Sequence, residues 1–271
     1  MKMSDKPISL SGRVAVVTGS TRGIGRAIVE KFGQAGARVV VSSSNPDAVQ
    51  CASSELCAQG IQCIGVPCDV SDRAQVKTLL DCALAEWGAV DIWVNNAGVS
   101  GPFGYALDVP PEAWERVLHT NLFGSYYGCM TVLPHMLERR YGKIINLSGG
   151  GARRAQRCLN AYSASKAAIV RMSEGLARDY KDHRFLSINV LEPGMVKTDM
   201  LTSFEAIGPA ADALKALPRV MRIFSTTLEE CAQLALRLAS SASDGVSGKV
   251  FSLLPRRRVI WRLAQATLQR R

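Results

Sequence analysis

The stretch RVAVVTGSTRGIGRAIVEKF, Arg13 to Phe32, decides the fold. Arg13 to Thr18 is a short apolar run rich in β-branched residues, and Ile24 to Ala35 has the length and composition of a helix. Between them the chain turns through Gly19, Gly23 and Gly25. Glycine lets a backbone turn tightly and approach a pyrophosphate with no Cβ in the way, and the following helix N-terminus favours negative charge. Gly19, Thr21, Arg22, Gly23, Ile24 and Gly25 are therefore candidate cofactor contacts. The spacing is G-x-x-x-G-x-G, and a tight turn without a ligand is the bland alternative.

Strand-like and helix-like segments go on alternating outward from this turn. Strands are expected at Ala37 to Ser42, Ile61 to Val66, Val90 to Val94, Lys143 to Leu147, Leu186 to Leu191 and Lys249 to Leu253. Helices are expected through Leu56, over Ser71 to Trp87 with Ser71 as N-cap, within Pro110 to Leu137, and over Ala161 to Tyr180 and Leu228 to Leu238. Near-continuous apolar strands separated by helices are what a parallel sheet covered on both faces requires. The expectation is one α/β domain, residues 1–255, a doubly wound Rossmann-type parallel sheet of about seven strands with helices on both faces. Residues 256–271 form a basic tail. Asp199 to Phe224, broken by Gly208, Pro209 and Pro218, reads as a lid over the C-terminal edge of the sheet.

The 271 residues, 47% hydrophobic and 21% charged, can bury a sizeable core, which excludes a disordered chain. No apolar run is long enough to span a membrane, and MKMSDKPISLSGR has no secretory apolar region, so a cytoplasmic location is expected. The formal charge is +10, but residues 256–271 hold six arginines and no acid, leaving +4 for the body. That gives no reason to expect nucleic acid as a partner. The stretch Val259 to Gln269 reads as a short helix with a broad apolar arc. Packing on a neighbouring subunit, adsorption to an anionic membrane surface and a frayed end all fit it. Eight cysteines contain no C-x-x-C pair, so neither zinc nor any other metal site is expected, and reduced, mostly buried thiols are.

Cofactor choice turns on the end of the second strand. NAD binders usually place an acid there for the ribose 2′-hydroxyl. Here the chain reads Ser42-Ser43-Ser44-Asn45, and the first acid is Asp47. Hydroxyls such as Ser44, with Arg22 from the glycine turn, would accept a 2′-phosphate, so NADP(H) is favoured over NAD(H).

Tyr162-Ser-Ala-Ser-Lys166 near the start of a helix puts both side chains on one face, about 40° apart. An ammonium there, with the positive ribose-side field of an oxidised nicotinamide, is expected to lower the tyrosine pKa toward neutrality, so that the phenol can exchange the proton that accompanies hydride transfer. Together with Asn95-Asn96-Ala97-Gly98 after the fourth strand and Pro193-Gly194 after the sixth, the pattern over roughly residues 10–255 resembles the short-chain dehydrogenase/reductase family, including its reductases of acyl-carrier-protein substrates. The resemblance implies NAD(P)(H), a small-molecule alcohol or carbonyl substrate and a homo-oligomer, usually a tetramer. It implies Tyr162, Lys166, a serine and Asn121 as the catalytic set, with Asn121 holding a water. It further implies Asn95, Asn96 and Gly98 at the cofactor, Asp69 and Val70 at adenine, and Pro193, Gly194, Val196 and Thr198 at the nicotinamide.

The chain departs from the family at the serine, which commonly lies thirteen residues before the tyrosine; that position is Gly149. Ser148 is expected to take the role if Gly149, Gly150 and Gly151 absorb one residue. Arg140 and Arg184 resemble the arginines that dock an acidic carrier protein, and plain exposed arginines are the alternative. Met195, Met200, Met221 and Phe224 suit either a pocket or core. Two functional classes stand: a carbonyl reductase or alcohol dehydrogenase, for which Tyr162, Lys166 and Asn121 argue, and a nucleotide-binding sensor or scaffold with impaired turnover, for which Gly149 argues.

Overall fold

The computed structural model describes residues 8–202, 205–215, 217–255 and 257–262. Its main sheet contains β1 (Val14–Thr18), β2 (Arg38–Ser42), β3 (Cys63–Gly65), β4 (Ile92–Asn95), β5 (Gly142–Leu147), β6 (Leu186–Glu192) and β9 (Val250–Ser252). The strands are all parallel, in the order β3-β2-β1-β4-β5-β6-β9. The order reverses between β1 and β4, and in open α/β sheets the crevice at such a switch point takes the ligand.

Period-two alternation sorts the strand residues onto two cores. Ala15, Val17, Val39 and Val41 point to one face, where α1 (Gly23–Gln34), α2 (Pro46–Ala58) and α10 (Leu228–Ala239) supply Ile28, Phe32, Leu56 and Leu236. Val14, Val16 and Val40 point to the other, against α3 (Arg73–Trp87), α5 (Gly124–Arg139) and α6 (Asn160–Asp179). Burial of the strands on both faces explains why they read as continuous apolar runs.

Boundaries differ from the expected ones by a residue or two, with physical reasons. Asp72, not Ser71, caps α3, its carboxylate accepting the Ala74 N–H at 2.8 Å, while Ser71 donates to Asp69. The long segment after Pro110 is two helices, α4 (Pro111–Leu118) and α5, joined by a π-helical turn over His119–Phe123. The segment after β6 holds a small second sheet, β7 (Met195–Val196) paired with β8 (Ser225–Thr226), which periodicity over two residues could not announce. Between these strands run α7 (Asp199–Thr202), α8 (Ala211–Leu214) and α9 (Leu217–Phe224). Ala206 bridges to Phe103 in the loop after β4, the Phe103 N–H donating to Glu205 and the Ile207 N–H to Phe103. The segment expected to form a lid is thus tied to the loop after β4.

Cys68, Cys129, Cys158 and Cys231 are buried, Cys51 and Cys57 are exposed, and all eight thiols are free. Residues 257–262 are helical and packed back on the chain: Arg258 donates to Glu230 (2.5 Å), and Arg262 to the Ser225 carbonyl. The rest of the expected tail helix, with Leu263 and Leu268, lies outside the described residues.

Lys143 is a charge inside β5, 1% exposed, whose ammonium donates to Asp244 Oδ1 (2.6 Å) and Ser243 Oγ (3.1 Å). A buried ammonium that loses its counter-charge is destabilising. Asp244→Ala should therefore cost about 2 kcal/mol in urea unfolding, toward the low side because Asp244 itself is exposed. Lys143→Met in the same background should recover most of that loss.

Candidate active site

The glycine turn is fixed from β4. Asn96 Nδ2 donates to the carbonyls of Thr18 and Gly19 (2.8 Å each), and the N–H groups of Asn96 and Ala97 donate to Thr18 Oγ1 (3.1 Å each). Gly19 has φ +62°, and a Cβ on it would sit 2.8 Å from the Ala97 α-carbon. A Cβ on Gly25 would overlap the Gly19 carbonyl. Both glycines are therefore required by the close approach of β1 to β4. Gly23, φ +58°, has only Thr198 near it, at 3.4 Å, so the turn leaves bare backbone before the N-terminus of α1. At the end of β2, Ser42 Oγ is buried with no hydrogen-bond partner, followed by Ser43 and the exposed Ser44. A bare cradle at a helix N-terminus fits a dinucleotide phosphate chain.

The other expected cofactor contacts divide. Thr21 lies on the turn itself and Ile24 in the first turn of α1. Arg22 is exposed and pairs with Asp199 at 3.0 Å, across to the start of α7. Asp69 is exposed beyond β3, with Oδ1 accepting from Ser71, and Val70 is buried beneath it against Gly124. Pro193, Gly194 (φ +77°), Val196 and Thr198 line the passage from β6 into β7, where the Pro193 carbonyl accepts the Thr226 hydroxyl. Asn95 corrects the expectation: it is buried, accepts the Trp93 Nε1–H (2.8 Å) and donates to Asn146 Oδ1 (2.7 Å), so it builds core rather than cofactor surface. Asn96 likewise spends its amide on the turn.

The expected catalytic residues meet at the same edge. Gly98 touches both partners: a Cβ on it would lie 3.1 Å from Asn121 Oδ1 and 3.5 Å from Lys166 Nζ. Asn121 sits in the π-helical turn, a feature frequent at functional sites. It is fully buried, accepts the Val99 N–H (2.8 Å) and donates to the Val99 carbonyl and Ser165 Oγ (3.0 Å each), so its side chain is already engaged by protein. Lys166 Nζ donates to the Leu147 carbonyl (3.0 Å) and lies 5.7 Å from the centre of the Tyr162 ring.

Ser148 does not take the serine's place. Its hydroxyl donates to the Lys166 carbonyl at 3.3 Å, whereas a Cβ on Gly149 would overlap the Tyr162 hydroxyl. The strand keeps the family's usual register because the Ser148 N–H stays in the ladder, donating to Leu191 (2.9 Å). The tyrosine hydroxyl thus stands where a serine side chain would begin.

Desolvation first, and the Glu192 charge second, push Tyr162 up to about 12. Burial pushes Lys166 down to about 8. Glu192, the last residue of β6, is buried and ion-paired with Arg153 (3.1 Å). Sequence reasoning missed both residues; the signal was an acid ending an apolar strand, Leu186 to Leu191, immediately before Pro193. Phe103, Cys158, Leu159 and Ala210 form a small apolar cluster against Tyr162. Met195 is half-buried and Met200 exposed. Arg140 and Arg184 precede β5 and β6, at the sheet edge opposite this site, so neither borders its mouth.

A switch-point crevice with a glycine cradle and a Tyr-Lys pair defines a dinucleotide-dependent oxidoreductase of alcohol or carbonyl groups. A family model described as short chain dehydrogenase matches residues 13–207. The chain belongs to that family. It is 32% identical over 241 residues to glucose 1-dehydrogenase 2 of Bacillus subtilis, covering 88% of this chain and 92% of that one. A gluconate 5-dehydrogenase from Burkholderia cenocepacia, solved with NADP and tartrate, superposes with a TM-score of 0.80 at 29% identity, covering 90% of this chain and 94% of that one. A 3-ketoacyl-(acyl-carrier-protein) reductase from Brucella melitensis, complexed with NADH, gives 0.81 at 27% identity, covering 90% and 98%.

Two outcomes are expected. Ser148→Ala should leave kcat within about twofold of wild type, since the hydroxyl serves a helix carbonyl. Lys166 is charged below about pH 8 when folded and below about 10.5 when unfolded, so the unfolded chain binds the extra proton between these values. Wild type should therefore gain about 2 kcal/mol relative to Lys166→Met between pH 8 and 10, read by urea unfolding at each pH. A flat difference would contradict this burial.

Proposed function

We propose that this chain is an NADP(H)-dependent carbonyl reductase that also runs as an alcohol dehydrogenase, using Tyr162 and Lys166 to handle the proton. The carrying observation is the convergence of Tyr162, Lys166, Gly98 and Asn121 beside the bare glycine cradle. The cradle over Gly19 to Gly25 would take the pyrophosphate, Asp69 and Val70 adenine, and Pro193, Gly194, Val196 and Thr198 the nicotinamide end. Bound cofactor supplies or accepts the hydride. Tyr162, neutral at physiological pH, gives its proton to the substrate oxygen in reduction. Lys166, oriented by the Leu147 carbonyl, stands over the tyrosine ring to support the phenolate that remains.

The absence of an acid at Ser42 to Asn45 supports NADP(H) over NAD(H). Arg22 supports it too: its partner Asp199 is exposed, and such a surface pair is weak enough to yield to a phosphate. Exposed Trp114, Phe123 and Tyr126 on the α4–α5 face support a homo-oligomer. No described helix is long and apolar enough to cross a membrane, in keeping with a cytoplasmic location. Gly149 favours a second reading, a nucleotide-binding sensor with little turnover.

Tyr162→Phe should bind NADPH as wild type does and lose about 10²-fold or more in turnover, measured as NADPH oxidation with a panel of ketones, ketoesters and sugars. Equal turnover would demand another proton donor, and no turnover by wild type on any of them would favour the sensor. Ser44→Asp with Arg22→Ala should reverse a preference for NADPH over NADH in fluorescence titrations. Tenfold tighter NADH binding by wild type would refute the preference.

A further inference from the structure

The last turn of α2 and the edge strand β3 meet through two cysteines. Cys57 Sγ and Cys63 Sγ lie 2.9 Å apart, the one thiol–thiol contact among the described residues. A disulfide bond is about 2.05 Å long, so a movement of less than ~1 Å separates this contact from covalent reach.

Packing fixes the meeting. Val49, Ser53 and Cys57 recur every four residues and form one stripe along α2. Cys63 and Gly65, two apart on β3, point to the same side of the sheet. A Cβ on Gly65 would stand 2.8 Å from Val49 Cγ1 and from Ser53 Oγ. The missing side chain lets β3 settle on the stripe, and Cys63 comes down one helical turn further along. Its thiol donates to the Ser53 carbonyl at 3.2 Å. Between the cysteines the chain reverses at Gly60, φ +80°, the Gly60 N–H donating to the Cys57 carbonyl (2.9 Å). Ile61, buried against Gly33, pins the turn.

The two thiols differ in access. Cys57 is exposed and Cys63 half-buried. Burial first, and the Cys57 contact second, push the Cys63 thiol up to about 12, so the exposed partner is the one that meets a reagent. Cys51, also exposed, has the Glu55 carboxylate beside it (3.4 Å) and no second sulfur.

We propose that Cys57 and Cys63 are a reversible thiol–disulfide site, closed by low-molecular-weight disulfides and stapling β3 to α2; it stands independently of the oxidoreductase reading. Cys57, as thiolate, attacks one sulfur of the incoming disulfide. That S–S bond breaks, one small thiolate leaves and takes up a proton, and a mixed disulfide remains on Cys57. Cys63 gives its proton to water, attacks the Cys57 sulfur and expels the second small thiol. Two protein thiols are oxidised and one small disulfide is reduced to two thiols. A three-residue strand at the edge of the sheet gains a second attachment by this bond.

The test treats the full-length protein with glutathione disulfide at about pH 8, where thiols exchange readily. Alkylation of the remaining thiols and mass spectrometry should find Cys57 joined to Cys63, with no glutathione on either, and dithiothreitol should reverse the bond. The oxidised protein should melt about 5 °C above the reduced, because a closed short loop removes entropy from the unfolded chain. Cys63→Ser should keep one glutathione on Cys57 and show no such rise, and Cys57→Ser should leave Cys63 unmodified. A mixed disulfide that persists on wild-type Cys57 with Cys63 free overturns the site. So does a pair that stays reduced where Cys51 of the same sample is fully modified. A Cys57–Cys63 bond with no rise in the melting midpoint overturns the staple.

Discussion

One side-chain amide holds the site together. Asn96 Nδ2 ties the carbonyls of Thr18 and Gly19 to the end of β4, at the point where the strand order reverses. Gly19 and Gly25 let the two backbones come close enough for those bonds, and the bonds keep the turn open in front of α1. The same β4 end continues through Ala97 to Gly98, which lies against Lys166 and Asn121. Cofactor cradle and proton-handling residues are thereby set by a single junction, and the strands behind it, apolar on both faces, hold it stiff.

Much of this was legible because local chemistry agrees with the fold. The run Val14 to Thr18 delivers the chain to a turn that only glycine fits, so strand, turn and helix follow from adjacent residues. Asn95 shows the limit. Nothing in Asn95-Asn96 tells which amide serves the turn and which the core; that depends on Asn146 and Trp93, brought near by pairing of β4 with β5 and by the pleat. The β7–β8 pair and the bridge from Ala206 to Phe103 depend on contacts distant in sequence, and two-residue strands carry no period.

Gly149 is where the sequence pattern and the structure meet most informatively. The expected slip of one residue would have broken the ladder bond from the Ser148 N–H to Leu191, and three glycines are no gain if that bond is lost. The strand keeps its register, the hydroxyl faces the helix, and Tyr162 moves up against a bare α-carbon. Spacing arithmetic finds the departure but not its consequence. The ion pair of Glu192 and Arg153 comes from two different segments and becomes visible only when β5 and β6 lie side by side.

The central claim is that cradle and tyrosine serve one reaction, hydride exchange between a bound nicotinamide and a carbonyl carbon. Reduction of a ketoester with NADPH deuterated at the transferred position tests it most directly. The account predicts deuterium at the new carbinol carbon of the product, none of it washed out to solvent, and a hydroxyl proton taken from water. NADPH bound tightly with no deuterium passing to any carbonyl would contradict it.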